Sequence, residues 1–171
     1  LEWSKKAAEA GKHVLCEKPL SLSPGESRAM VEACKFHGVT LGVAYYRRFY
    51  PLVRRVREII ESGEIGRVAV AQMNAFEYFD PPEDHPRRWL LDKKKSGGGP
   101  MMDFGCHRLE VLTNLFGAVA DVKSNLSNAV FNRDVEDTAF ALLQFENAVA
   151  ASVTVTHAAA EAKDTLDIYG T

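Results

Sequence analysis

The sequence predicts an α/β protein in two parts, a stretch of parallel sheet followed by an α+β region with a largely antiparallel, open sheet. Up to about residue 45, helical and strand-like segments alternate with short loops, as parallel strands joined by crossover helices require. After Gly117, three segments alternate apolar and polar residues at period two, the pattern of strands with one buried face. The expected division is therefore 1–45 and 46–171.

Glu2 to Ala10 places Trp3, Ala7 and Ala10 at helical spacing, and Gly11 is a natural stop. His13 to Cys16 reads as a short apolar strand, followed by Glu17-Lys18-Pro19. A proline pushes the residue before it out of the helical region, so Lys18 should sit in extended backbone where the strand ends. Ser23, Pro24 and Glu26 supply a cap, a first-turn proline and an acid three residues after the cap, which predicts a helix to about Phe36, ended by Gly38. Val39 to Ala44 then reads as a second buried strand.

Tyr45 to Tyr50 is aromatic and basic, and Pro51 to Ile60 is a helix with Val53, Val56, Ile59 and Ile60 on its apolar side. Arg67 to Phe79 is a long strand that Asp80-Pro81-Pro82 stops, and His85 to Leu91 is a short helix holding Arg87, Arg88 and Trp89. The later strands are Val119 to Val130, Asp137 to Phe145 and Ala148 to His157, with Thr165 to Tyr169 as a further one. Glu146-Asn147 is the expected two-residue hairpin connection.

Ser96 to Gly117 is the stretch that carries chemistry. Asp103, His107, Glu110 and Asn114 share one helical face, while Met102, Leu109, Leu112 and Phe116 collect on the other. Asp103 and His107 are either a solvated surface pair or an acid/base pair lining a cleft. Gly97, Gly98 and Gly99 ahead of Pro100 read either as a mobile loop or as backbone that passes close to a ligand. Glu17 and Lys18 are a surface charge pair or, at the carboxyl edge of a sheet where open α/β folds bind ligands, donors to a substrate oxygen.

Composition narrows the classes. Lys plus Arg total 21 against 23 for Asp plus Glu, so no nucleic acid and no anionic membrane is expected as the main partner. The clusters Arg47, Arg48, Arg54, Arg55, Arg57 and Lys93 to Lys95 read as solvated faces. Three cysteines without C-x-x-C spacing argue for a reducing, cytoplasmic setting rather than a disulfide framework or structural zinc. No apolar run approaches the roughly 18 residues that cross a bilayer. His85 and His157 have no partners at metal-ligand spacing, so no metal is expected. No G-x-G-x-x-G occurs, and the opening at Leu1 reads as that of a fragment.

Four blocks, AGKHVLCEKPLSLSPGES, AYYRRFYP, ESGEIGRV and SGGGPMMDFGCH with its trailing LFG, resemble in order and spacing the glucose-fructose oxidoreductase, inositol dehydrogenase and MocA-like NAD(P)-dependent oxidoreductases. The resemblance implies that residues 1–45 are the last part of a Rossmann domain whose dinucleotide-binding glycines lie upstream. It implies that 46–171 are an incomplete C-terminal α/β domain for substrate and for homo-oligomerisation through its open sheet. Lys18 then matches the family's catalytic, cofactor-proximal lysine, with Glu17 and Pro19 lining the nicotinamide side, and Asp103 and His107 match the D-x-G-x-H block. Tyr45, Arg48 and Trp89 fall in blocks that line the substrate pocket together with His107. The implied activity is hydride transfer between NAD or NADP and a sugar, polyol or related cyclic alcohol. The alternative is a sugar- or nucleotide-sensing regulator or scaffold on the same fold, which has no chemical need for Lys18, Asp103 and His107 together.

Overall fold

The structure, a computed structural model, describes residues 1–171 as two units, Leu1–Tyr45 and Tyr46–Thr171. The first contains α1 (Glu2–Glu9), β1 (Val14–Cys16), α2 (Pro24–Phe36) and β2 (Leu41–Val43). The two strands pair in parallel, Val14 opposite Leu41 and Cys16 opposite Val43. The start of α2 follows its capping signal: Ser23 Oγ accepts the Glu26 N–H at 3.3 Å, and Glu26 Oε2 accepts the Leu22 N–H at 3.2 Å.

Ala8, Met30 and Cys34 form the interior of this unit. Burial on α1 follows Ser4 and Ala8, leaving Trp3 80% exposed. Within residues 1–171, Leu15 is 78% exposed and β2 is half-buried throughout. A two-stranded sheet has no central strand, and parallel strands are fully buried only where layers cover both faces.

The second unit begins with a 3₁₀ turn, Arg47–Phe49, and α3 (Pro51–Ser62), which starts on a proline and ends at Gly63 in the left-handed region. β3 (Val68–Tyr78), a 3₁₀ turn (Arg88–Leu91), α4 (Lys93–Ser96) and α5 (Cys106–Phe116) follow. β4 (Val119–Ser127), β5 (Thr138–Phe145), β6 (Ala150–Thr156) and β7 (Ala158–Gly170) complete it. The sheet order is β4-β5-β6-β3-β7; β3 runs parallel to β6 and every other pairing is antiparallel.

Opposed residues share a face, so register decides the core. Met73 lies opposite both Val153 and Leu166, and Ala141 opposite Val153. One apolar layer results from Ala71, Met73 and Ala75, alternate residues of β5, and Ala151, Val153 and Val155, with Val111, Leu112 and Phe116 of α5 packed into it. Each large side chain so buried contributes about 1.5–3 kcal/mol, which makes this layer the main stabilising element of the unit.

The β5–β6 connection differs from the expected two-residue turn. Phe145 and Val149 close it, with the Phe145 N–H donating to the Val149 carbonyl at 2.9 Å, so Glu146, Asn147 and Ala148 form a three-residue loop. Such loops end on a left-handed residue. Here it is Ala148 at φ +69°, where glycine is favoured, and local signals alone could not suggest it.

Asp137, fully buried at the start of β5, organises the loop over residues 128–136. Its carboxylate accepts the N–H groups of Ala129, Val130 and Phe131 at 2.9, 2.8 and 2.8 Å and the Thr138 hydroxyl at 2.9 Å. Its backbone N–H donates to the Ser127 carbonyl, and its own carbonyl accepts the His157 N–H at 2.8 Å. The His157 carbonyl in turn accepts the Phe79 N–H at 2.8 Å, so the ends of β3, β4 and β6 meet at one residue.

Gly98, Gly99 and Pro100 are buried against this loop. A Cβ on Gly99 would lie 1.9 Å from the Glu136 carbonyl oxygen, and one on Gly98 2.9 Å from Met102 Cγ. Beside the two alternatives read from the sequence, a mobile loop or a ligand contact, Gly99 has a packing role. It lets one backbone pack directly on another.

Burial pushes the Asp137 carboxyl up, but the N–H groups of Phe131, Val130 and Ala129 and the Thr138 hydroxyl outweigh it and hold the group below the usual carboxylate range. Its stabilisation is complete above the unfolded value of about 3.9 and is lost as pH falls through the lower folded value. Asp137→Asn should destabilise the protein by about 2–3 kcal/mol at pH 7. The gap from wild type in urea unfolding should narrow toward pH 3; a gap independent of pH would contradict this assignment.

Candidate functional site

Residues Met101–Gly105 form a π-helical turn that runs into α5, in place of a single α-helix from Pro100. The N–H groups of Met102 and Asp103 both donate to the Gly99 carbonyl at 3.0 Å. A π turn is wider than an α turn and shifts the phase of what precedes it. This corrects the uniform helical face read from the sequence: Met102 is not part of the core layer, whereas Met101 and Phe104 pack against it.

The charged face of the helix is also buried rather than open to solvent. His107 is 4% exposed and Glu110 8%, and the Asp103 side chain is 12% exposed. Asp103 Oδ2 accepts from Arg87 Nη2 at 3.0 Å and lies 3.7 Å from His157 Nε2. The His107 ring meets Tyr46 edge-on, with centroids 5.1 Å apart. Glu110 Oε1 takes both Nε and Nη2 of Arg48, which clamps the 47–49 turn to α5. Arg48, expected to touch substrate, is committed to this carboxylate.

Neighbouring pairs immobilise the helix further. Arg57 Nη2 donates to the Asn114 carbonyl at 2.7 Å, which ties α3 to α5. Asp164 of β7 accepts from Arg108 Nη2 at 2.7 Å and from Arg47 Nη1 at 2.9 Å. Trp89, in the 3₁₀ turn Arg88–Leu91, is 47% exposed and keeps a ring face available.

In the first unit, Lys18 is half-buried in the segment directly after β1, where its backbone N–H donates to Glu17 Oε2 at 3.3 Å. Pro19 follows it, half-buried. Tyr45 follows β2, its N–H donating to the Val43 carbonyl at 2.7 Å. Lys18 and Tyr45 therefore stand beyond the carboxyl ends of two parallel strands, where open α/β sheets bind ligands. The glycine turn that cradles a pyrophosphate is not among residues 1–171.

Three polar residues of this region escaped the sequence reading. Arg87 lies ahead of the glycine run, and its place beside the exposed Trp89 was the available hint. Glu77 left no local signal. His157, read as lacking partners, is fully buried between the rings of Phe79 and Phe104, at 5.0 and 5.3 Å, with Nε2 3.5 Å from Glu77 Oε1. Its acidic neighbours come from distant strands and turns, which residue spacing cannot reveal.

Residues 53–171 match the GFO/IDH/MocA C-terminal domain, and residues 2–45 match the oxidoreductase family with an NAD-binding Rossmann fold. The chain belongs to the GFO/IDH/MocA oxidoreductase family. The resemblance carried by the four sequence blocks is thereby borne out. Among relatives, the uncharacterized oxidoreductase YrbE of Bacillus subtilis is 33% identical over 98% of this chain and 48% of its own length. Levoglucosan dehydrogenase of Pseudarthrobacter phenanthrenivorans is 29% identical over 96% of this chain and 49% of its own.

Solved structures of this family agree. Levoglucosan dehydrogenase in complex with NADH and levoglucosan superposes with a TM-score of 0.89 at 30% identity, over 99% of this chain and 48% of that one. WlbA dehydrogenase from Bordetella pertussis, in complex with NADH and UDP-GlcNAcA, gives 0.88 at 27% identity over 98% and 49%. The chain spans about half the length of the relatives it matches. No helix is long and apolar enough to cross a membrane.

Proposed function

We propose that this chain serves an NAD(P)-dependent oxidoreductase acting on a CH–OH group of a sugar, polyol or related cyclic alcohol. The observation that carries the reading is His107, an imidazole buried on a helix anchored at several points, in a family whose relatives here include a levoglucosan dehydrogenase. Oxidising a secondary alcohol requires the hydroxyl proton to reach a base as hydride leaves the carbon. A nicotinamide cofactor, when bound, supplies the hydride acceptor.

In the second unit, His107 takes the hydroxyl proton, and in the reverse direction returns it. Asp103, held by Arg87, orients a substrate hydroxyl. In the first unit, Lys18 is a hydrogen-bond donor suited to stabilising negative charge on an oxygen, while Glu17 and Pro19 border the nicotinamide. Tyr45 and Trp89 offer ring faces to a sugar, and Arg48 acts through Glu110 as a positioning residue.

A sensing protein on this fold would bind sugar without turnover. Screening the intact protein with polyols and both nicotinamide cofactors tests the choice. His107→Ala should lower kcat/KM by about 10²–10⁴ with cofactor binding retained. Undiminished turnover in the variant would remove His107 from the mechanism, and wild-type protein inert toward the whole panel would favour the sensor.

The sheet face turned away from α5 supports a second part of the proposal, a homo-oligomer. On β5 it presents Phe140 and Leu142, 47% and 59% exposed, opposite Asn125 and Lys123 of β4. Light scattering should give a mass of at least two chains that falls in a Phe140→Asp, Leu142→Asp variant; a wild-type mass of one chain would count against it.

A further inference from the structure

Glu77, Asp103 and His157 bring one donor atom each to within 4.8 Å of one another. His157 is fully buried, neither of its ring nitrogens has a hydrogen-bond partner, and Glu77 Oε1 is likewise buried without one. The separations of His157 Nε2 from Glu77 Oε1 and Asp103 Oδ2, 3.5 and 3.7 Å, exceed hydrogen-bond length. Leaving a buried imidazole and a buried carboxylate oxygen unbonded is costly, and an ion between them is one physical remedy.

The two spacings from His157 Nε2 suit a metal. Donor atoms about 2.0–2.1 Å from a tetrahedral zinc ion lie about 3.4 Å from one another. We propose that Glu77, Asp103 and His157 bind a divalent transition cation, with Zn²⁺ the best match to one imidazole nitrogen and two carboxylate oxygens. Mg²⁺ and Ca²⁺ prefer sets made of oxygen alone. Three protein donors leave a fourth position for water or a substrate oxygen.

The surroundings hold the donors in place and leave a way in. Phe79 and Phe104 flank the His157 ring, and its backbone is bonded to Asp137 and Phe79, so Nε2 is fixed before any ion arrives. Glu77 is 40% exposed in its side chain, which gives an entry path. The nearby positive charges are engaged or movable: Arg47 and Arg108 are bonded to Asp164, and Arg87 is half exposed. A carboxylate offers about four lone-pair sites, so Asp103 can keep Arg87 and still ligate.

The site shares Asp103 with the redox reading, but its test reads binding rather than turnover, so the two can fail separately. Co²⁺, titrated into the full chain after chelator treatment, should bind at one equivalent with the visible bands of a nitrogen/oxygen site and no thiolate charge-transfer band. Glu77→Gln should weaken binding by at least about tenfold. Arg87→Gln, which removes an opposing charge, should tighten it several-fold, a gain that misfolding cannot imitate. Absence of stoichiometric binding, a thiolate band from Cys16 or Cys106, or an affinity unmoved by both substitutions would overturn the proposal.

Discussion

The buried carboxylate of Asp137 is the constraint on which the second unit depends. By gathering three backbone N–H groups it folds the 128–136 loop, and through its own backbone it joins the ends of β4 and β6. That loop is the surface on which Gly98 and Gly99 seat, and a Cβ on Gly99 would collide with the Glu136 carbonyl. The Gly99 carbonyl then accepts two N–H groups and starts the π turn that presents Asp103, with His107 following at the head of α5. The position of the candidate acid/base pair therefore traces back to a residue that takes no part in the chemistry.

α5 has two buried faces, and the second is expensive. Burying Glu110, Arg108 and His107 costs free energy unless each charge is matched. Arg48 matches Glu110, Asp164 matches Arg108, and Tyr46 covers the imidazole ring. The return on these pairs is rigidity, since a helix held by α3, by β7 and by the 47–49 turn cannot easily rotate. The proposed proton transfer would benefit from a geometry fixed in this way.

What was legible in the sequence was local. The Ser23-Pro24-Glu26 cap, the Pro51 start of α3 and the period-two strands each depend on residues within a few positions, and each appears where expected. Lys18 after a strand and the D-x-G-x-H block could be singled out for the same reason. The rest depended on contacts across the fold. The π turn follows a glycine packed on the distant Glu136 backbone; the hairpin loop places an alanine where local preference asks for glycine. Arg48 looked like a substrate ligand because Glu110 lies far from it in the chain, and His157 looked isolated because Glu77 and Asp103 do.

His107 is proposed to handle the proton of an alcohol in a nicotinamide-dependent reaction. A crystal structure of the intact protein with a nicotinamide cofactor and an unreactive polyol analogue tests it most directly. One substrate hydroxyl should lie within about 2.6–3.2 Å of a His107 ring nitrogen, with its carbon facing the nicotinamide. A polyol seated against the nicotinamide with its hydroxyls on other side chains, and His107 still packed beneath Tyr46 out of reach, would contradict it.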